Sequence, residues 1–191
     1  MITVIDNFIK DKNLLTEIQV NAQDLFKDPG VYKWYDGWWN SPANNIIKKI
    51  IQYTWGENCP ISTSYDVAGF EYWTGIQQSG DSGFDNNLGL HIDKDEAWFE
   101  KTGEIKSPIM GTIYYPQQME FEGGMLEIYS NGEHNLPEVL YAKPNRLIIF
   151  DAGLYPHQVT VVNKGIRHAI AINLWEDEPY SKQNGKFNIE G

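Results

Sequence analysis

A single cysteine, Cys59, is all the thiol that this 191-residue chain carries, which excludes an internal disulfide and a zinc site built from cysteines. Arginine is almost as scarce, with Arg146 and Arg167 the only two. Basic residues number 15 against 26 acidic ones, a formal net charge of −11. A surface of that sign repels phosphate backbones, so nucleic acid is not an expected partner. No apolar run approaches the roughly 18 residues of a membrane span. The start, Met1 to Asp6, has neither the basic nor the apolar region of a signal peptide, so the expectation is a soluble, cytoplasmic protein with no membrane partner. Aromatic residues, by contrast, are plentiful, at 14% with seven tryptophans. They call for a dense core or an aromatic-lined groove. The length suits one domain, 1–191, with a substantial core.

Helical punctuation marks the first third. Asp11 is placed to cap a helix carrying Leu14, Leu15, Ile18, Ala22, Leu25 and Phe26 on one stripe. Ser41-Pro42 reads as the start of a second, with Ile46, Ile47, Ile50 and Ile51 following and Gly56 as its stop. From residue 65 the hydrophobic period changes to two, and strands are predicted over 65–73, 88–93, 109–115, 124–129, 146–151, 157–162 and 166–175. Gln77 to Asn87 reads as a mobile loop and Lys94 to Lys106 as a polar insert. Many short strands without helices between them indicate an antiparallel sandwich or barrel, padded on one outer face by the helices.

Three places in the strand region bear chemistry. His91-Ile92-Asp93 ends a predicted strand, where residues two apart share a face and an imidazole and a carboxylate converge. Alone the pair is weak, since chance supplies a His-x-Asp in roughly one chain of four with this composition. A solvated pair at a strand end is the plainer explanation. His157 opens another strand on the face of Val159 and Val161, where a satisfied core histidine is equally ordinary. Arg167 is more informative. In the strand 166–175 one face carries His168, Ile170, Ile172 and Leu174, while the other carries Arg167, Ala169, Ala171, Asn173 and Trp175. A buried guanidinium needs an anion, and the small residues beside it leave room for that anion to be a ligand carboxylate held bidentately. A structural pair with one of the 26 acidic residues is the competing account.

Two imidazoles and one carboxylate on one side of a metal form the facial triad of iron(II) oxygenases. The order His91-x-Asp93, His157, Arg167 resembles that of the 2-oxoglutarate- and iron(II)-dependent oxygenases, in particular their prolyl-4-hydroxylase-like branch. Gly111-Thr112-Ile113-Tyr114-Tyr115, Gly123 to Ile128, Asn145 to Phe150 and Pro156 to Val159 carry the resemblance on, over roughly residues 65–175. The resemblance implies a mainly β fold, a double-stranded β-helix (jelly roll, cupin-like) core over 65–175 supported by helices in 1–60. It implies Fe(II) on His91, Asp93 and His157, and Arg167 on the distal carboxylate of 2-oxoglutarate. Tyr115 would bond the same carboxylate, Leu126 and Ile113 would wall the co-substrate, and Tyr72 would be a second phenol near the iron, although core packing suits it better. With O2, such a site oxidises a C–H bond of a small-molecule, peptide or protein substrate as 2-oxoglutarate becomes succinate and CO2. Because Asp93 occupies a ligand position that halide would need, hydroxylation is favoured over halogenation. The flexible Gln77–Asn87 loop and the Lys94–Lys106 insert are lid candidates.

Two rival functions share these residues: a non-catalytic jelly-roll module that binds a small carboxylate, and a metal-dependent hydrolase, which needs a general base near the metal-bound water and has no use for Arg167. His134 sits in a turn sequence and reads as exposed, His168 as facing away from Arg167, Cys59 as an ordinary buried thiol, and Trp34, Trp38 and Trp39 as core rather than groove.

Overall fold

The computed structural model describes residues 1–56, 58–59, 66–80, 85–117 and 120–185. Two antiparallel sheets dominate it. The larger follows the order β1 (Ile2–Ile5), β9 (Arg146–Phe150), β5 (Met110–Tyr115), β11 (Val162–Trp175), β3 (Gly69–Gln78), β2 (Lys33–Tyr35), with β6 (Phe121–Gly123) paired to the far end of β11. The smaller runs β4 (Leu88–His91), β10 (His157–Val159), β7 (Leu126–Ile128), β8 (Glu138–Leu140). This is the double-stranded β-helix architecture.

The core lies in two layers, one on each face of the large sheet, and the alternation along β11 decides which residue enters which. Ile170, Ile172 and Leu174 join Tyr72, Tyr114, Leu147 and Ile149 beneath the helices, where Ile18, Ile50 and Ile51 are completely buried. Ala169 faces the other way and packs with Tyr115, Ile148, Phe150, Leu126, Ile128 and Val159 between the sheets. Small residues on that face of β11 therefore leave the space in which the site is built.

Helix α1 (Lys12–Val20) starts at Asp11, whose carboxylate accepts the N–H groups of Asn13 and Leu14. The predicted stripe to Phe26 is interrupted at Asn21, whose side chain donates to the Glu17 carbonyl (2.8 Å) and competes with the backbone; a short α2 (Ala22–Leu25) follows. Helix α3 (Ile46–Trp55) is capped by Asn45 on the Lys48 N–H (2.9 Å), which corrects the expected Ser41-Pro42 start. Ser41 still belongs to the aromatic turn, its N–H on Gly37 and its carbonyl on the Tyr35 hydroxyl. Gly56 ends α3 as expected.

The Lys94–Lys106 segment also departs from expectation. It contains α4 (Glu96–Thr102), capped by Asp95 and ended by Gly103 in the left-handed region at φ 74°. Buried Asp95 further receives the backbone N–H groups of Tyr180 and Ser181 and the Ser181 hydroxyl, tying α5 (Tyr180–Gln183) to α4. The expected strands 157–162 and 166–175 become β10 and a 14-residue β11, with the chain turning at Thr160, so Val161 is exposed and does not share the buried face of His157. Strand β3 reaches Gln78, well beyond the predicted end at 73, so Gln77 is strand and not loop. The predicted strand start at 65 and the loop positions 81–84 lie outside the described residues.

Candidate metal and carboxylate site

His91 closes β4 and His157 opens β10, directly opposite each other in the ladder. Their rings lie 4.3 Å apart between centroids. Asp93 follows two residues after His91, its N–H held by the Ala152 carbonyl (2.9 Å). One Asp93 oxygen sits 3.4 Å from His91 Nε2 and 3.6 Å from His157 Nε2. The ligand atoms of the three all fall within 4.8 Å of one another, a group able to hold one ion.

Backbone carbonyls set the tautomers. His91 Nδ1 lies 2.7 Å from the Gly89 carbonyl and His157 Nδ1 2.9 Å from that of Tyr155. A carbonyl only accepts, so each Nδ1 carries the proton and each Nε2 presents a lone pair toward Asp93. Burial lowers the pKa of His157, which outweighs the opposing charge of Asp93 and favours the neutral ring, the form able to bind a metal. For His91 burial acts in the same direction, but the Asp93 carboxylate and the Gly89 carbonyl, both of which accept from the ring once it is protonated, outweigh it and the net shift is upward.

Arg167 faces the same cavity from β11 and is 2% exposed. Its Nη1 donates to Gln77 Oε1 (2.6 Å) and its Nη2 to the Tyr115 hydroxyl (2.9 Å), while Nε is buried with no partner. Among the described residues no carboxylate lies in ion-pair range of it. The guanidinium also stands 5.2 Å from the centre of the Tyr115 ring. Leu126, Ile113 and Val159 supply apolar wall to this cavity. Gly124, at φ +60°, is what lets the chain pass: a Cβ there would meet Arg167 Cδ at 3.0 Å and Val162 Cγ2 at 2.9 Å. The Gly123-Gly124 pair noted in the sequence thus bears directly on the arginine.

The family model described as the 2OG-Fe(II) oxygenase superfamily matches residues 76–175, which span every one of these side chains. The chain belongs to that superfamily. Its members use Fe(II), 2-oxoglutarate and O2, and the fold of this oxygenase presents a His-Asp-His group of the kind that chemistry needs. Its fold is also that of a Pseudomonas putida prolyl-4-hydroxylase (TM-score 0.57, 12% identity, 93% of each chain covered). A viral collagen prolyl hydroxylase of Paramecium Bursaria Chlorella virus-1, solved with 2OG, aligns at TM-score 0.55 and 14% identity, covering 93% of this chain and 96% of that one. A Trichoplax adhaerens prolyl hydroxylase in complex with a hypoxia inducible factor peptide fragment aligns at TM-score 0.53 and 16% identity, over 92% and 83% of the two chains. No curated protein matches the sequence.

Tyr72, which the resemblance offered as a phenol near the iron and which core packing suited better, does not line the cavity of the triad. On β3 it pairs with Ile172 and shares the helix-covered face, whereas its neighbour Trp73 pairs with Ala171 and lines the cavity of the triad. Nor do Trp34, Trp38 and Trp39 reach that cavity: Trp34 is buried, Trp38 stacks on Phe70 at 5.9 Å, and Trp39 packs edge-on against Trp38 and is half exposed. His134 is exposed in its turn, and His168 packs on Phe26 across 4.6 Å on the helix side.

Sequence reasoning also missed Gln77 and Glu71. Gln77 was hidden by its polar surroundings; its position opposite Arg167 is a matter of register. Glu71, 8% exposed on β3, has Oε2 bonded by Asn173 Nδ2 (3.2 Å) and Trp175 Nε1 (3.1 Å). Burial pushes its carboxyl up to about 7, the Asn173 bond opposes this, and Asp93 adds to it. The β11 alternation already put Asn173 and Trp175 on the Arg167 face, and that was the only available signal that a polar partner stood opposite.

No helix among the described residues is long and apolar enough to cross a membrane.

Proposed function

We propose that His91, Asp93 and His157 hold Fe(II), that Arg167 and Tyr115 receive the distal carboxylate of 2-oxoglutarate, and that the enzyme hydroxylates a C–H bond on an amino-acid or peptidyl substrate. The balance is R–H + O2 + 2-oxoglutarate → R–OH + succinate + CO2. Bound iron and co-substrate would supply the oxidising chemistry, and the residues of the chain do the rest. The two Nδ1–carbonyl bonds aim both Nε2 atoms at one point, so the ion meets ready-made ligands. Tyr115 and Gln77 hold the guanidinium in place before a ligand arrives, which lowers the ordering cost of binding. Leu126, Ile113 and Val159 keep water from the space between arginine and triad.

The observation that carries this reading is the buried Arg167 guanidinium, with an unbonded Nε and no carboxylate partner among the described residues, facing the same cavity as the triad. A charge so placed is costly unless an anion completes it. A binding module for small carboxylates would use the arginine but not the triad, and a hydrolase the reverse. The three neighbours are named as prolyl hydroxylases, one in complex with a peptide and one a collagen hydroxylase, which supports the amino-acid or peptidyl class.

The test is anaerobic titration of the apoprotein with Fe(II) and then 2-oxoglutarate, followed in the visible range. A weak charge-transfer band that requires both, and succinate release on admitting O2 with substrate, are the expected results. Iron binding without a band refutes the assigned roles.

A further inference from the structure

Glu71 has one carboxylate oxygen that the fold does not use. Oε2 is bonded by Asn173 and Trp175, yet Oε1 accepts nothing from the described residues. The side chain lines a cavity of about 230 Å3 that opens directly onto His91 and Asp93. Trp73 and Tyr32, in contact at 4.9 Å between ring centres, form one wall, and Lys94 lies on another. Lys94 is already paired with Glu96 at 2.8 Å and its ammonium sits 5.1 Å from the Phe99 ring, so it is not the missing partner of Glu71.

Fe(II), Asp93, the 2-oxoglutarate dianion and Arg167 balance to zero, which leaves Glu71 uncompensated beside the reaction centre. A buried carboxylate without a cation is costly. It is also held by two donors from β11, and the side chain lines the cavity.

Resting on the oxygenase reading above, we propose that this cavity is the substrate site and that Glu71 selects substrates bearing a cationic nitrogen, its free oxygen accepting an ammonium N–H while the Trp73–Tyr32 wall offers an aromatic surface to the same charge. The cation is either the α-ammonium of a free amino acid or the end of a basic side chain. This departs from the neutral prolyl residues named for the structural neighbours.

Two probe pairs in which one member carries the cation and the other lacks it separate the sources. L-Leucine against N-acetyl-L-leucine tests an α-ammonium; Nα-acetyl-L-lysine against Nα-acetyl-L-norleucine tests a side-chain ammonium. Binding is read by ligand-observed NMR on the anaerobic Mn(II)/2-oxoglutarate protein and on the apoprotein. In at least one pair the cationic member should bind ten-fold or more tighter, and Glu71→Gln, which keeps an acceptor oxygen for Asn173 and Trp175, should erase the difference while retaining the Fe(II)/2-oxoglutarate charge-transfer band. Equal binding within both pairs, no binding by any of the four, or a preference that survives in Glu71→Gln overturns the assignment. The pair comparison on the parent protein stands even if the variant fails to fold. A charge preference without the band would keep Glu71 and remove the oxygenase roles; the band without the preference would do the reverse.

Discussion

Arg167→Met distinguishes a guanidinium kept for a ligand from one kept for the fold. In the free protein the charge is 2% exposed and held by Gln77 and Tyr115, with no carboxylate partner among the described residues. Keeping it there costs several kcal/mol, and its two charge-assisted bonds return about 1.5–3 kcal/mol each. Methionine removes the cost and the bonds together, at about 1–3 kcal/mol for each partner left unbonded. These opposing quantities are of similar size, so the ligand-free variant should lie within about 2 kcal/mol of the parent. The ligand contribution has nothing to cancel it. At about 100 times its Kd, 2-oxoglutarate stabilises the folded parent by about 2.7 kcal/mol. At about 2–4 °C per kcal/mol for a domain of this size, that is a rise in Tm of roughly 5–11 °C. Thermal unfolding of the anaerobic Mn(II) proteins with and without 2-oxoglutarate checks both halves. The parent should shift and the variant should not. An equal shift in the variant refutes the ligand role, and a loss above about 5 kcal/mol without ligand makes Arg167 a structural residue.

Gly124→Ala forces a Cβ against Arg167 Cδ and Val162 at a backbone angle that favours glycine, so it should cost about 1–3 kcal/mol and weaken 2-oxoglutarate binding far more than metal binding; unchanged affinity by titration would remove Gly124 from the site. Asn145, at φ 54°, bonds the Ile9 N–H and carbonyl and the Tyr114 hydroxyl, so Asn145→Ala should lower stability by about 3 kcal/mol in urea unfolding, from three bonds of roughly 1 kcal/mol each, and a loss below 1 kcal/mol would show that these bonds do not pin the N-terminal segment. Glu71 has a folded pKa of about 7 against an ordinary 4.5. The folded state binds its proton more tightly, so its contribution is full below pH 4.5 and is lost as pH rises toward and through 7. Metal-free Glu71→Gln should therefore gain roughly 3 kcal/mol on the parent between pH 4.5 and pH 8, and a difference that does not vary with pH would contradict the burial argument.

Much of the site was legible because its signals are local. His91 and Asp93 are two apart at a strand end, and β11 alternates bulky with small residues around Arg167, so a shared face follows from strand geometry alone. The Asp11 cap and the Gly56 stop are likewise contacts within one turn. The α4 helix was missed because seven residues with one buried alanine carry too little periodicity to stand out from a polar insert. Tyr72 against Trp73, and Gln77 opposite Arg167, are questions of parity and register between strands about 90 residues apart in the chain, as with the Arg167–Gln77 bond.

The sequence by itself determined the period of each element, the two faces of β11 and the types of residue available as ligands, since each depends on side chains within a few positions of one another. Only the tertiary structure decided that His91 stands opposite His157, that among the described residues the arginine has Gln77 and Tyr115 for company in place of an acid, and that Glu71 keeps one oxygen unbonded by them beside the triad. Those facts depend on which strands pair and in what register, and that is settled by burying both faces of the large sheet at once, beneath the helices and against the smaller sheet.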